Sequence, residues 1–251
     1  MNATLLLMRR AMREAIRTPD ATLPLLAIPL FFLAVNVGQA GRVFPKGTTP
    51  FLHGQSYAAF QLPSSLLLAA SFGSAAIFLV EDIEKGYFDK LRATPIPRSA
   101  IVLGRLLAGM VTALVVAILM ILVSLPFGIH IAGGIGGFLV LIALMAGWTL
   151  VFSGFMQLIA LRSRSAAATQ SGSIVFFPLL FLTPGFVPRH MLTRPMEIAA
   201  SCNPVTYVME AMRSLILQGF VAGPLIRGFV ILAVLLSVVL WLNIKLVRSY
   251  D

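Results

Sequence analysis

The stretch LLAGMVTALVVAILMILVSLPFGIHIAGGIGGFLVLIALMAGWTLVFSGFMQLIAL, from Leu106 to Leu161, decides the fold. Its only ionisable side chain in 56 residues is His130. A bilayer core about 30 Å thick takes about 20 apolar residues per helix, so this stretch is long enough for two membrane-crossing helices. Pro126 and the glycine-rich run 133–137 supply the turn between them, because proline and glycine interrupt helices. We therefore predict two spans, at 101–125 and 137–160.

Four further stretches of the sequence also lack charged side chains. The ranges without any charged side chain are 21–41, 54–80, 165–188 and 228–244. The whole chain is 59% hydrophobic and only 11% charged, whereas soluble domains are about 45–50% apolar and about 25% charged. We predict an all-α integral membrane protein in which one domain, 1–251, contains six transmembrane helices, at 22–40, 57–80, 101–125, 137–160, 166–186 and 228–245.

The basic residues predict the orientation of these spans, because Lys and Arg collect in cytoplasmic loops. With the N-terminus inside, the cytoplasmic segments contain thirteen Lys and Arg and the outer segments six. Both termini are therefore expected in the cytoplasm, and membrane topology accounts for the net charge of +10 without nucleic acid. Segment 1–20 predicts a basic amphipathic helix along the inner membrane surface, since Arg9, Arg13 and Arg17 step by four.

The segment between spans two and three, 81–100, is the most charged part of the chain. Ile83, Tyr87 and Leu91 share one helical face, and Pro95 ends the helix. A plain connecting loop does not need an aromatic and aliphatic face. We predict a short amphipathic helix on the cytoplasmic side that contacts a partner.

The segment between spans five and six, 187–227, predicts helices on the outer side. Asn203 is a good N-cap and Pro204 suits the first helical position. Apolar residues then follow helical spacing, with Glu210 and Arg213 on another face, up to the helix end predicted at 218–219. We expect this amphipathic helix to lie half-sunk in the bilayer or packed against the spans.

Residue types and motifs that the sequence lacks disfavour several classes of membrane protein. The six predicted spans contain no Asp, Glu or His, which disfavours proton-coupled transporters and intramembrane metalloproteases, since both need such groups at membrane depth. The phosphate-binding pattern G-x-x-x-x-G-K-[ST] is also absent from the sequence. If ATP drives this protein, another subunit must hydrolyse it.

Two segments resemble the landmarks of ABC-2 type exporter permeases, the membrane subunits of ABC transporters. The run EKGYFDKLRATPIPR, Glu84–Arg98, followed by Leu103-Gly104-Arg105, is similar to the first cytoplasmic loop of that family. The run Asn203–Tyr207, NPVTY, with Arg213, is similar to the second landmark, which precedes the last span. The drug-resistance (daunorubicin-type) branch is the most similar, although Tyr87-Phe88 stands where that pattern usually has small residues.

This resemblance implies a permease without catalytic residues that exports an amphiphilic drug, lipid or lipid-linked molecule from a bacterial plasma membrane. Its implied partners are an ABC ATPase subunit in two copies, which would hold the ATP and magnesium, a second copy of the permease or a paralogue, and membrane lipid. This chain itself would bind no cofactor and no metal. The coupling helix would contact the ATPase through Glu84, Lys85, Gly86, Tyr87, Phe88, Asp89, Leu91, Arg92, Thr94, Pro95 and Arg98. Paired re-entrant helices in 187–227 would close the outer side, with gate residues Asn203, Pro204, Tyr207, Glu210 and Arg213.

Other interpretations remain open at this point. Arg92 and Arg98 have an alternative role as topology anchors. The chain as a whole is also compatible with an ATP-independent flippase or a membrane scaffold. An enzyme that uses Glu197, Glu210 and His190 as acid and base is a further alternative, although their spacing in the sequence forms no catalytic pattern.

Overall fold

The computed structural model describes residues 19–72, 98–163 and 165–248. Within these ranges the regular structure is helical, without a strand, which agrees with the predicted all-α class. The helices in chain order are α1 (Pro19–Ala40), α2 (Tyr57–Phe72), α3 (Arg98–Ser124), α4 (Gly134–Ser163), α5 (Ala166–Ile174), α6 (Phe176–Phe181), α7 (Arg194–Cys202), α8 (Pro204–Leu217) and α9 (Ala222–Arg248). Short 3-10 turns lie at Pro50–Leu52, Leu125–Phe127 and Arg189–Met191.

Three of the described helices are long and apolar enough to cross a membrane. They are Leu106–Phe127, Gly134–Ser163 and Ala222–Leu246, with mean hydropathies of 2.9, 2.3 and 2.6. The shortest of them has 22 residues and, at 1.5 Å per residue, is about 33 Å long, which matches the hydrocarbon core. The apolar part of α1, Pro24–Ala40, is shorter. The arrangement of six spans stays a prediction, since residues 73–97 are outside the described ranges.

The turn between α3 and α4 forms where the sequence predicts it. The 3-10 turn at Leu125–Phe127 ends at Gly128, whose φ is 75°, and Gly134 has a φ of 61°. Both values lie in the left-handed region that glycine adopts without strain. Helix α4 begins at Gly134, three residues before the predicted start of span four.

The predicted fifth span, 166–186, is helical in two short pieces. Helices α5 and α6 are separated at Val175, and helical structure ends at Phe181. Pro178 has no N–H to donate to the Ile174 carbonyl, so the hydrogen-bond ladder is interrupted there. The next residues, 182–188, are non-helical, so their backbone carbonyls can accept hydrogen bonds from side chains of other segments.

Helix α4 lies at the centre of the bundle and packs against α2, α3, α5, α8 and α9. Its contact with α9 is close because Gly147 and Gly154 have no side chain. A Cβ at Gly147 would come within 3.1 Å of Leu232, and one at Gly154 would collide with Val239. Asn243 of α9 donates to the Gly154 carbonyl at 2.9 Å. Glycines such as Gly147 and Gly154 let the backbones of neighbouring membrane helices approach closely.

Candidate functional site around helix α8

Helix α8 begins and ends as its sequence predicts. The side chain of Asn203 accepts a hydrogen bond from the backbone N–H of Val205 at 3.0 Å, and Pro204 occupies the first turn. At the other end, Gln218 and Gly219 both donate backbone N–H groups to the Ser214 carbonyl at 2.8 Å. Gly219 has a φ of 90°, so glycine is the residue suited to this helix end.

Helix α8 is packed inside the bundle instead of lying on its surface. It contacts α2, α4 and α9, and its buried residues are Val205, Thr206, Val208, Met209, Ala211, Met212, Arg213, Ser214, Leu215, Ile216 and Leu217. A Cβ at Gly228 of α9 would lie 2.6 Å from the Ala211 Cβ, which shows how closely these two helices approach. Of the two placements that the sequence left open, packing against neighbouring helices is the one observed.

The last carbonyls of α8 are held by the turn between α3 and α4. The backbone N–H groups of Ala132 and Gly133 donate to the carbonyls of Ile216 and Leu215 at 3.0 and 3.1 Å. The side chain of Gln55 also donates to the Ile216 carbonyl. These bonds satisfy acceptors that a helix end leaves without an intrahelical partner, and they fix α8 to that end of the bundle.

Arg213 is a buried cation whose direct contacts, within the part of the chain that the structure describes, include no carboxylate. Only 8% of the surface of Arg213 is exposed. The guanidinium donates from Nη1 to the Pro184 carbonyl at 2.9 Å and from Nη2 to the Gly185 carbonyl at 3.4 Å. Nε donates to the Phe60 carbonyl at 3.3 Å, and the guanidinium carbon lies 3.6 Å from the centroid of the Phe60 ring. Arg213 therefore joins three segments of the chain: α8, α2 and residues 182–188.

Burial lowers the pKa of the Arg213 guanidinium to about 10, while the charge of Glu210 acts in the opposite direction. The guanidinium is still protonated at neutral pH, because its pKa remains well above 7. No ion pair of Arg213 occurs among the described residues. Its charge is balanced there by carbonyl dipoles, by the Met209 thioether sulfur, by the face of an aromatic ring and, at longer range, by Glu210.

Glu210 pairs with Arg189 instead. The Arg189 guanidinium donates to both Glu210 carboxylate oxygens, at 3.1 and 2.9 Å, and both side chains are about one quarter exposed. The same guanidinium lies 5.2 Å from the ring centroid of Tyr207, whose hydroxyl donates to the Ser201 carbonyl at 2.7 Å. The two hydrogen bonds between Arg189 and Glu210 make a bidentate pair, which is the strong form of an Arg–carboxylate contact.

A cavity of about 540 Å³, which we call the polar-end cavity, lies beside these residues. It opens between α2, α8, the start of α9 and the two 3-10 turns near residues 50 and 190. Its lining residues are Pro50, Phe51, His53, Phe60, Pro188, Arg189, His190, Met191, Glu210, Arg213, Ser214, Leu217, Gln218 and Pro224. The volume falls in the range of small-molecule sites, about 300–1,000 Å³.

A second, smaller cavity of about 30 Å³ lies between α1, α2 and the segment that follows α6. Its polar lining consists of neutral side chains, namely Asn36, Gln61, Ser64 and Ser65. Gln61 donates to the Tyr57 hydroxyl at 2.7 Å, and that hydroxyl donates to the Phe186 carbonyl at 2.9 Å. This chain of bonds links α2 to the non-helical segment after α6.

The structure places the five predicted gate residues together on or beside α8. Asn203 and Pro204 start the helix, Tyr207 and Glu210 contact Arg189, and Arg213 is buried below them. Of the predicted ATPase-contact residues, only the backbone of Arg98, at the start of α3, lies within the described ranges. The others lie outside those ranges, as do residues 1–18 of the predicted interfacial helix, whereas residues 19 and 20 belong to α1.

Several side chains that hold the helices around this site together were not singled out by sequence reasoning. Arg189 was counted only as an outer-loop charge, since its distance of 21 residues from Glu210 gave no local pattern to find. Gln61 and Asn243 are uncharged and sit in apolar stretches, yet they are 1% and 0% exposed. A buried amide in an apolar helix was the available signal, since such groups need hydrogen-bond partners.

The three residues of the acid–base alternative do not act on one shared point. Glu210 and His190 both line the polar-end cavity, but the Glu210 carboxylate is held by Arg189, and Glu197 pairs with Arg194 at 3.2 Å. No group of three or more metal-ligating side chains occurs within the described ranges of the chain. The geometry therefore supports binding and packing around α8, and offers no assembled catalytic constellation among the described residues.

Comparison with known proteins identifies the family of this chain. The family model of the ABC-2 type transporter matches residues 2–217. The daunorubicin resistance ABC transporter permease protein DrrB1 of Streptomyces coeruleorubidus is 27% identical over 220 residues, covering 85% of this chain and 75% of that protein. The probable doxorubicin resistance ABC transporter permease protein DrrC from two strains of Mycobacterium tuberculosis is 24% identical over 167 residues, covering 66% of this chain and 60% of that protein. The match of the family model over most of the chain shows that this membrane protein belongs to the ABC-2 type transporter family.

Proposed function

We propose that this chain is the transmembrane permease subunit of an ATP-driven exporter. It moves an amphiphilic drug, lipid or lipid-linked molecule outward and uses a separate ABC ATPase subunit. The observation that carries this proposal is the family match over residues 2–217, joined to relatives whose names describe daunorubicin and doxorubicin resistance permeases. An anthracycline is therefore the first substrate to test.

The proposed assembly contains two ATPase subunits and two permeases, the second being another copy of this chain or a paralogue. ATP and magnesium would be held by the ATPase, because the sequence of this chain has no phosphate-binding loop. We place the permease in a bacterial plasma membrane with both termini in the cytoplasm. The bias of Lys and Arg toward the predicted inner segments supports that orientation.

The proposed substrate path runs along predicted spans one, two and five. The composition of the surface between α1, α2 and the segment after α6 supports this route, since neutral amides and hydroxyls lie there among apolar residues. Such a surface suits an amphiphile that enters from the inner leaflet better than an ion. Closure of the ATPase dimer would draw the coupling helices together, tilt the spans and separate α8 from segment 182–188 at the exit.

The test uses the purified permease with a candidate ABC ATPase, sought among the reading frames next to its gene, and both are reconstituted in proteoliposomes. Doxorubicin should stimulate ATP hydrolysis, and ATP should drive doxorubicin accumulation. Tyr87→Ala with Phe88→Ala should reduce both activities at least about tenfold, because the aromatic face of the coupling helix is the proposed contact. The matched control is Phe127→Ala with Ile135→Ala, which removes apolar groups that are 72% and 82% exposed at the other end of α3 and the start of α4.

The alternative functions give different results in the same assay. An ATP-independent flippase would move its substrate in liposomes without the ATPase, and a scaffold would move nothing. Unchanged coupling in the Tyr87→Ala, Phe88→Ala variant would contradict the assignment of the coupling helix. Absence of any stable complex with the ATPase would contradict the exporter proposal itself.

A further inference from the structure

The polar-end cavity has the size and the wall composition of a ligand site. At about 540 Å³ it is far larger than a single water site, which needs about 10–15 Å³. Its wall is partly apolar, with Phe51, Phe60, Met191 and Leu217, and partly charged, with Arg189, Glu210 and Arg213. Apolar and charged groups adjoin each other, since the Arg213 guanidinium lies 3.6 Å from the centroid of the Phe60 ring. A ligand that matches this wall is itself partly apolar and partly charged.

The charge on the wall decides the sign of that ligand. Arg189 and Glu210 neutralise each other through two hydrogen bonds. The charge of Arg213 remains, because its direct partners are backbone carbonyls, a thioether sulfur and an aromatic ring. Two further lining groups, His53 and His190, are exposed, and an imidazole side chain adds no negative charge to the wall. The net charge of the wall is therefore positive, so a cation is disfavoured and an anion is favoured.

We infer that the polar-end cavity binds the anionic group of an amphiphile, a phosphate or carboxylate, with the apolar portion of the molecule against Phe51, Phe60 and Leu217. This assignment does not depend on the export proposal, because it concerns equilibrium binding at one end of the bundle. It also differs in charge preference from the smaller cavity between α1 and α2, whose polar lining is neutral. A lipid headgroup and a free anion share this chemistry, and the experiment separates them.

The test measures binding to the purified full chain in a non-ionic detergent at pH 7.5, by native mass spectrometry and by the shift of the thermal midpoint. Three probes are compared: dioctanoyl phosphatidylglycerol, dioctanoyl phosphatidylcholine and inorganic phosphate. We expect the anionic lipid to bind at least about tenfold more tightly than the zwitterionic lipid of equal chain length. Competition by millimolar phosphate would show that the anion alone is recognised, and lack of competition would show that the apolar portion is also required. Both results support the assignment.

Charge variants make the test specific to the cavity. His190→Glu places a negative charge on the wall and should weaken binding of the anionic lipid about tenfold. Ile198→Glu places the same charge on an exposed position of α7 that does not line the cavity, and should leave the affinity within about twofold. Arg213→Gln should lose the preference for the anionic lipid, whereas Arg213→Lys should retain it. Equal binding of the two lipids to the wild-type chain, or an unchanged affinity in His190→Glu, would overturn the inference.

Discussion

Replacing Arg213 by methionine should destabilise the bundle more than replacing it by lysine. Methionine keeps most of the aliphatic volume and removes every donor and the charge. The carbonyls of Pro184 and Gly185, which lie in a non-helical segment, then lose the donors that hold them at 2.9 and 3.4 Å. Lysine keeps the charge but has no planar fork, so it cannot reach three separate carbonyls at once.

The magnitude follows from two opposing terms. A buried acceptor that loses its donor costs about 1–3 kcal/mol, and the two non-helical carbonyls, those of Pro184 and Gly185, give about 2–6 kcal/mol. The third carbonyl, that of Phe60, lies within helix α2 and is not counted. Removal of a buried charge returns some of this, because the desolvation of the guanidinium is no longer required. We expect a net loss of about 3 kcal/mol for Arg213→Met and about half of that for Arg213→Lys. With a shift of about 2–4 °C per kcal/mol for chains of this size, the methionine variant should melt about 6–12 °C lower.

The assay is intrinsic tryptophan fluorescence during heating in detergent, since Trp148 is buried among helices and reports their separation. Midpoints are compared at one heating rate, because unfolding of such a protein is governed by rates as well as by equilibrium. The difference in melting midpoint between the wild type and the Arg213→Met variant should be constant from pH 6 to pH 8. The pKa of Arg213 is lowered to about 10 by burial, so the group stays protonated across that range in the folded and unfolded states. A methionine variant as stable as the wild type would show that the buried charge costs as much as its bonds contribute, and would refute this reasoning.

Two further variants are tested by the same melting assay: one tests the packing of α4 against α9, and the other tests the start of α8. Gly154→Leu should lower stability by about 1–3 kcal/mol, the usual range for overpacking, because a Cβ there already collides with Val239; equal stability of the glycine and leucine forms would disprove the close contact of α4 with α9. Asn203→Ala should lower stability by about 1 kcal/mol through loss of the N-cap, and Asn203→Asp should recover the cap while losing the donation to the Leu179 carbonyl. An aspartate variant no better than alanine would contradict the capping role.

Local features of this fold were predictable because they depend on neighbours in the sequence. The N-cap at Asn203, the turn around Pro126 and the helix end at Gly219 all follow from the conformational preferences of single residues. The interruption of the fifth predicted span was also visible in principle, since Pro178 stands inside the apolar stretch. The length of the uncharged stretch alone predicts one span, whereas the missing backbone donor of Pro178 interrupts the helix within it.

The surroundings of Arg213 were not predictable in the same way. Sequence periodicity placed Arg213 and Glu210 on the polar face of a helix, and pairing between them would have been a natural expectation at a spacing of three. In the fold, Glu210 turns to Arg189, while Arg213 reaches carbonyls 28 and 29 residues earlier in the chain. Those carbonyls are available only because residues 182–188 are non-helical and lie against α2. No pattern in the sequence specifies that arrangement without the fold.

The partners of Arg213 give α8 an energetic balance that an ion pair would not give. Separating α8 from residues 182–188 would break the bonds to Pro184 and Gly185, and in the same step it would return a desolvated guanidinium to water. Separating a buried Arg–carboxylate pair would instead pull opposite charges away from each other against their mutual attraction. Carbonyls on a non-helical segment can also take hydrogen bonds from water once they are exposed. If α8 opens as the proposed outer gate, the clamp at Arg213 would hold the closed arrangement and would also limit the difference in free energy between the closed and separated states.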